Sequence, residues 1–246
     1  IHEQPEVIGY TLSAFYDPNS SCMKMPQFAF NPGLLPKLTI VAAGTSYYAG
    51  MIAKYWLEGL ARLPVEVDIA SEFRYRNSVF PDGGAALFIS QSGESLDTLM
   101  ALRHAREKGQ HIISLINVDE STIARESDVV LKTLAGPEIS VASTKAYTTQ
   151  LAALLCLTVD WAQKRNFLDK KKAFEIMDEL SRLPTALAEV LADKERWNAC
   201  AHELAGARDV IYLGRGLNFP TALEGALKLE ELSYIHAEGY AAGEMK

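Results

Sequence analysis

The stretch AALFISQSGESLDTLMALRHAREKG, Ala85 to Gly109, decides the reading of the fold. An apolar run from Ala85 to Ile89 has the length and composition of a buried strand. It gives way to Ser90-Gln91-Ser92-Gly93-Glu94-Ser95, and an amphipathic helical pattern then opens at Leu96. A strand handing over to a helix through a short polar turn is one βα unit. The hydroxyls in the turn have two readings that this stretch alone leaves open. They are caps for the helix, or they form a seat for an anion at a helix N-terminus, where unpaired amides and a partial positive charge favour phosphate.

The same unit recurs on both sides. LTIVAA from Leu38 precedes GTSYYAGMIAKYWLEGLA, VEVDIA from Val65 precedes SEFRYR, and HIISLINV from His111 precedes STIARES. VVLKTL from Val129 leads through AGPEISVASTKAYTTQ to the strongly apolar helix LAALLCLTVDWAQKR. Short apolar strands alternating with helical patterns imply a mostly parallel sheet covered on both faces. The expected fold is therefore α/β, a doubly wound, flavodoxin-like parallel five-stranded sheet. The expected boundaries are a lead segment over 1–37, with a short helix around Pro5 to Phe15, and the sheet domain over 38–165. A helical connector interrupted at Pro184 follows over 166–207, and 208–246 opens a second, incomplete unit. That last unit reads as one strand, VIYLGRG, and one helix, NFPTALEGALKLEELSYIH. A lone strand leaves its backbone unpaired, so the strand must find a partner elsewhere or the natural chain must continue. We favour continuation. The opening IHEQPEVIGYTL likewise reads as a point inside a longer protein.

Composition narrows the function. The 246 residues are 48% apolar and 22% charged, ordinary for a globular chain, and the net charge of −7 opposes nonspecific nucleic-acid binding. Cys22, Cys156 and Cys200 are far apart and not in metal-ligand spacing, as in reduced cytoplasmic proteins. The longest apolar run is too short for a membrane span. No metal or organic cofactor is expected.

Three strand-to-helix turns carry hydroxyls: Gly44-Thr45-Ser46, Ser90 to Ser95, and Val141-Ala142-Ser143-Thr144. In a parallel sheet all three lie at the carboxyl edge, where ligands bind. None fits a Walker A loop or a dinucleotide fingerprint, so a single phosphate on a small polyhydroxylated molecule suits them best. On the last helix Glu224, Lys228 and Glu231 fall at i, i+4 and i+7, one stripe. The stripe is either a solvated charged face or a carboxylate with a lysine, the pair that ketose–aldose interconversion needs.

GTSYYAG, SQSGESLDTL, AGPEISVASTKAYTTQL and LGRGLNFPTALEGALKLEELSYIHAEGYAAGEMK together resemble the sugar isomerase (SIS) half of the glutamine–fructose-6-phosphate aminotransferase family, over nearly the whole chain. The resemblance implies that Ser90, Gln91, Ser92 and Ser95 cradle the phosphate of fructose 6-phosphate, with Ser46, Val141 and Ser143 completing the pocket. Serine at position 95, where the family often has threonine, keeps the hydroxyl. It implies Glu231 as the proton-shuttling base and Lys228 as its partner. It also implies a ring-opening histidine just after the last residue given and an imine-forming lysine further on. His236 is not that histidine and is expected to be a packed or hydrogen-bonded helix residue. Ammonia would come from a glutaminase domain that this sequence lacks, and a homodimer is expected. The rival readings are a glutaminase-less sugar-phosphate deaminase or isomerase and a noncatalytic sugar-phosphate sensor.

Overall fold

The structure is a computed structural model and describes residues 1–245. A lead segment comprises helix α1 (Gln4–Phe15) and the short hairpin β1 (Tyr16–Asp17) and β2 (Cys22–Met23). The α/β layer then runs β3 (Leu38–Ala42), α2 (Gly44–Leu60), β4 (Val65–Ile69), α3 (Ala70–Phe73), β5 (Ala85–Ser90) and α4 (Leu96–Glu107). It continues through β6 (His111–Ile116), α5 (Thr122–Arg125), β7 (Val129–Lys132) and α6 (Lys145–Lys164). All five strands β3 to β7 are parallel in the order β4-β3-β5-β6-β7. That is the flavodoxin-like doubly wound order, with its switch point between β3 and β5.

Every residue of β3 and β5 is buried, as strands covered on both faces require. One core packs α1, α2, α6 and α7 against the sheet, and a second packs α3, α4 and α5 on the opposite face. Gly50 lets α2 approach closely, since a Cβ there would lie 2.9 Å from Ile40 Cγ2. The apolar helix α6 is buried along most of its length, with Trp161 fully enclosed. Arg165, just beyond its end, donates to the carbonyls of Ala61, Pro32, Leu35 and Arg62, fastening the lead segment and the end of α2 to the sheet domain.

The connector is helical but is not broken at Pro184. Helix α7 (Lys170–Ala192) passes through that proline, and the break falls at Asp193 before α8 (Lys194–Leu204). The buried stripe of α7, Ala173, Met177 and Leu180, ends before Pro184, and Ser181 to Leu183 are exposed. The carbonyl that loses its intrahelical donor is that of Leu180, the last residue of the buried stripe, so the helix continues through the proline with one bond fewer.

The strand β8 (Asp209–Gly214) is not alone. It pairs in parallel with β9 (His236–Ala241) across helix α9 (Asn218–Ser233). Gly239 makes this possible, because a Cβ there would sit 2.9 Å from Leu223 Cα on α9. The expectation of a helical His236 is corrected accordingly. It opens β9, is exposed, and its Nδ1 lies 3.2 Å from Asp209 Oδ1. No helix among the described residues is long and apolar enough to cross a membrane.

Candidate functional site

The turn after β5 is folded by its own serines. Ser90 Oγ accepts the Gly93 N–H at 3.1 Å and Ser92 Oγ accepts the Glu94 N–H at 3.2 Å. These hydroxyl oxygens therefore shape the loop rather than cap α4. Ser95, the residue preceding α4, makes no side-chain capping bond among the described residues, and neither does Ala43 ahead of α2. The first-turn amides of both helices thus stay available to an external acceptor, as an anion seat requires.

These two turns close a cavity of about 160 Å³ lined by Ser46, Ser90, Gln91, Ser92 and Ser95. Ala43, Ile89 and Thr98 complete its wall; Thr98 lies inside α4, where reading the turns did not reach it. Five of the seven expected binding residues are brought together here. Ser46 is oriented by the buried Gln150, whose Nε2 donates to Ser46 Oγ at 3.0 Å, leaving the serine hydroxyl proton for another partner. A larger cavity of about 510 Å³ lies between the β1–β2 hairpin, α6 and α7. Its buried acid, Asp160, is already paired with Lys164 at 2.7 Å.

The third turn differs. Val141 is exposed, and neither it nor Ser143 lines the cavity. The N-terminus of α6 is partly engaged from within, since Glu138 accepts from the N–H groups of Thr144 and Ala146 and from the Thr144 hydroxyl, at 3.0–3.2 Å. Two of the amides at this turn, those of Thr144 and Ala146, thus go to a carboxylate of the same chain. The signal was an acid six residues before the cap residue Thr144, too distant for an ordinary cap pattern.

Helix α9 bears the expected stripe, and it is not a solvated face. Glu224 is buried. Lys228 Nζ lies 3.7 Å from Glu224 Oε1 and ion-pairs with Glu231 Oε2, so one ammonium serves two carboxylates. Glu231 is the outer member, with its side chain one-third exposed. Burial pushes the Glu224 carboxyl up to about 7, against the opposing pull of Lys228 and of the Thr45 hydroxyl. Thr45 joins the two halves of the site: it stands beside Ser46 and donates to Glu224 Oε1 at 3.1 Å. The same burial, with the Glu224 charge nearby, raises the phenols of Tyr48 and Tyr147. No group of three or more potential metal ligands occurs among the described residues, and Cys156 is an inert core thiol that burial pushes up to about 12.

Comparison with known proteins agrees with this fold. The family model described as SIS domain matches residues 36–159 and 203–246. The glutamine–fructose-6-phosphate aminotransferase [isomerizing] of Gluconobacter oxydans (strain 621H) is 53% identical over 246 residues, all of this chain and 40% of that protein. Its counterpart from Zymomonas mobilis subsp. mobilis is 52% identical with the same coverage. The solved C-terminal domain of glucosamine-fructose-6-phosphate aminotransferase from Francisella tularensis superposes with a TM-score of 0.95 at 41% identity, covering 99% of this chain and 69% of that one. The chain spans about 40% of the length of the curated relatives it matches. A sheet of flavodoxin-like order, hydroxyl-bearing turns at its carboxyl edge and a family match over both α/β segments lead to one assignment: this chain belongs to the SIS domain family.

Proposed function

We propose that the chain is the sugar-phosphate-binding and isomerising part of a glutamine–fructose-6-phosphate aminotransferase. On this reading residues 38–165 form a first SIS module after the lead segment 1–37, 166–207 connect, and 208–246 begin a second module. Two further features of the proposal are a homodimer and a cytoplasmic location. Ammonia would come from a glutaminase domain outside this sequence, and no metal or organic cofactor takes part.

The reading rests on one juxtaposition. A small hydroxyl-lined cavity between two helix N-termini is tied through Thr45 to a carboxylate–lysine–carboxylate stripe. Ser46, Ser90, Gln91, Ser92 and Ser95 would hold the phosphate of fructose 6-phosphate, with the helix ends supplying partial positive charge. Ketose-to-aldose conversion takes a proton from C1 and returns one to C2 while the oxygens exchange theirs. Glu231, the accessible end of the stripe, would carry the carbon-bound proton. Lys228 would hold Glu231 in place and attend the substrate oxygens. Val141 and Ser143, outside the cavity, would meet the sugar end. A noncatalytic sensor would need the cavity but not the stripe. A deaminase lacking a glutaminase domain remains the enzyme rival, and the upstream sequence of the natural protein separates the two.

Thermal denaturation with and without fructose 6-phosphate tests the cradle. Wild type is stabilised by the ligand, and the Ser90→Ala, Ser92→Ala double variant much less so; equal stabilisation rejects the cradle. In the full natural protein, Glu231→Gln keeps binding and loses isomerisation, whereas retained turnover rejects the assigned base.

A further inference from the structure

Within the loop Ser90 to Ser95, Glu94 is the residue least suited to a phosphate seat. A carboxylate left free beside a bound phosphate repels it. Its placement resolves the conflict. Glu94 Oε1 turns away to accept the Thr122 N–H at 2.7 Å. That bond, the Thr122 hydroxyl and the nearby Arg125 guanidinium hold the Glu94 carboxyl below the usual carboxylate range.

The loop is stitched to the same segment at one further point and to the residue after β6 at another. Gly93 O accepts the Ile123 N–H at 3.0 Å, and Gln91 O accepts the Asn117 N–H at 3.2 Å. Gly93 itself is at φ +66°, and a Cβ there would lie 2.0 Å from Ser121 Oγ, so the contact is close-packed. The receiving segment is braced in turn. Ser121 Oγ accepts the Ala124 N–H, and Arg125 donates to Thr122 Oγ1 at 2.9 Å and to the Glu120 carbonyl. Of the three stitches, only the one from Glu94 is made by a side chain, so it alone can be removed without altering the backbone.

We propose that Glu94 is a positioning residue, latching the phosphate-binding loop onto the Ser121–Arg125 turn so that Ser90, Ser92 and Ser95 are set for phosphate before it arrives. The proposal rests on the sugar-phosphate reading of this loop. Preorganisation of this kind acts on binding, since an unlatched loop must be ordered by the ligand. Chemistry at the α9 stripe is not touched by it.

The test uses the full natural protein with Glu94→Ala and Glu94→Gln. Glutamine retains an oxygen that accepts from Thr122 and loses only the charge; alanine loses the bond. Glu94→Ala raises KM for fructose 6-phosphate about tenfold, as expected for a lost hydrogen bond to a charged group. Its kcat stays within about twofold of wild type, and Glu94→Gln restores KM to within about twofold. An unchanged KM in Glu94→Ala overturns the proposal, as does a Glu94→Gln variant as impaired as alanine, or a loss confined to kcat. Amide hydrogen exchange of the Thr122 segment, measured without ligand, separates this inference from the functional reading. Faster exchange in Glu94→Ala supports the latch; equal exchange overturns it, whatever the protein binds. A wild type that exchanges slowly at Thr122 yet fails to bind fructose 6-phosphate overturns the assigned substrate and with it the latch's purpose.

Discussion

The Thr45 hydroxyl donates to Glu224 across 179 residues of sequence and 3.1 Å of space. Thr45 belongs to the first turn of α2 and Glu224 to the buried face of α9, so this bond docks the terminal βα segment on the sheet domain at the edge where the cavity opens. Glu224 Oε1 is the atom that both Thr45 and Lys228 address, while Oε2 has no hydrogen-bond partner among the described residues. Losing Thr45 would thus leave a buried carboxyl with Lys228 as its remaining neighbour. Thr45→Val is expected to destabilise the protein by about 1–3 kcal/mol, the usual cost of stripping a partner from a buried polar group. Thr45→Ser restores most of that loss. Chemical denaturation of the three proteins measures it, and equal midpoints for valine and threonine would count against the bond.

Glu224 also makes stability depend on pH in an uncommon direction. Its folded-state pKa, near 7, lies above the ordinary value of 4.5, so between those limits the native state holds more protons than the unfolded state. Stability attributable to this group is therefore complete below the ordinary value and is lost as pH rises through about 7. Glu224→Gln removes the dependence. The variant is expected to gain stability relative to wild type as pH goes from about 5 to about 8, and denaturation midpoints across that range decide the matter. A difference that does not change with pH would show that Glu224 titrates normally.

How much of this was legible in the sequence follows from which interactions are local. Strands β3 to β7 announce themselves as apolar runs because parallel strands buried on both faces can be little else, and their parallel pairing follows from the alternation with helices. The cavity serines were legible as hydroxyls at strand-to-helix turns. Glu138 and Gln150 were not, since their roles depend on loops and helices meeting in three dimensions. The strand β9 was hidden because His236 to Ala241 is poor in β-branched residues. Its glycine and alanines serve close packing on α9, a tertiary demand that local propensity does not report. Pro184 misled for a related reason: proline costs a helix one bond and a ring clash, and a long helix held by packing on either side can run through it.

Arg165 shows the same dependence on distant partners. Its guanidinium donates to four carbonyls, those of Pro32, Leu35, Ala61 and Arg62, from two separate segments. Burial lowers its pKa, although the group remains charged at any accessible pH. A lysine supplies one compact ammonium in place of a planar fork and cannot reach both segments with the same geometry. Arg165→Lys is expected to cost about 2 kcal/mol or more and to increase proteolysis around Asn31 to Pro36. Limited proteolysis with mass mapping checks the second point, and an unchanged cleavage pattern would refute the clamp.

The third turn supplies the sharpest contrast among the binding residues. Glu138 already accepts from two amides at the start of α6 and brings a negative charge there, so that helix has less to offer a dianion than α2 or α4. Ser143 keeps a hydroxyl, and Val141 is exposed with a backbone carbonyl free of helical duty. Such groups suit neutral sugar hydroxyls, which both donate and accept, and suit phosphate poorly. Ser143→Ala is therefore expected to weaken fructose 6-phosphate by about three- to tenfold while leaving the affinity for inorganic phosphate unchanged. Ser90→Ala, by contrast, weakens both ligands together, because its hydroxyl shapes the loop that meets their common group. Calorimetric titration of wild type and the two variants with both ligands measures the pattern. Equal losses for phosphate in Ser143→Ala and Ser90→Ala would assign the third turn to the phosphate and refute the division between sugar end and phosphate end.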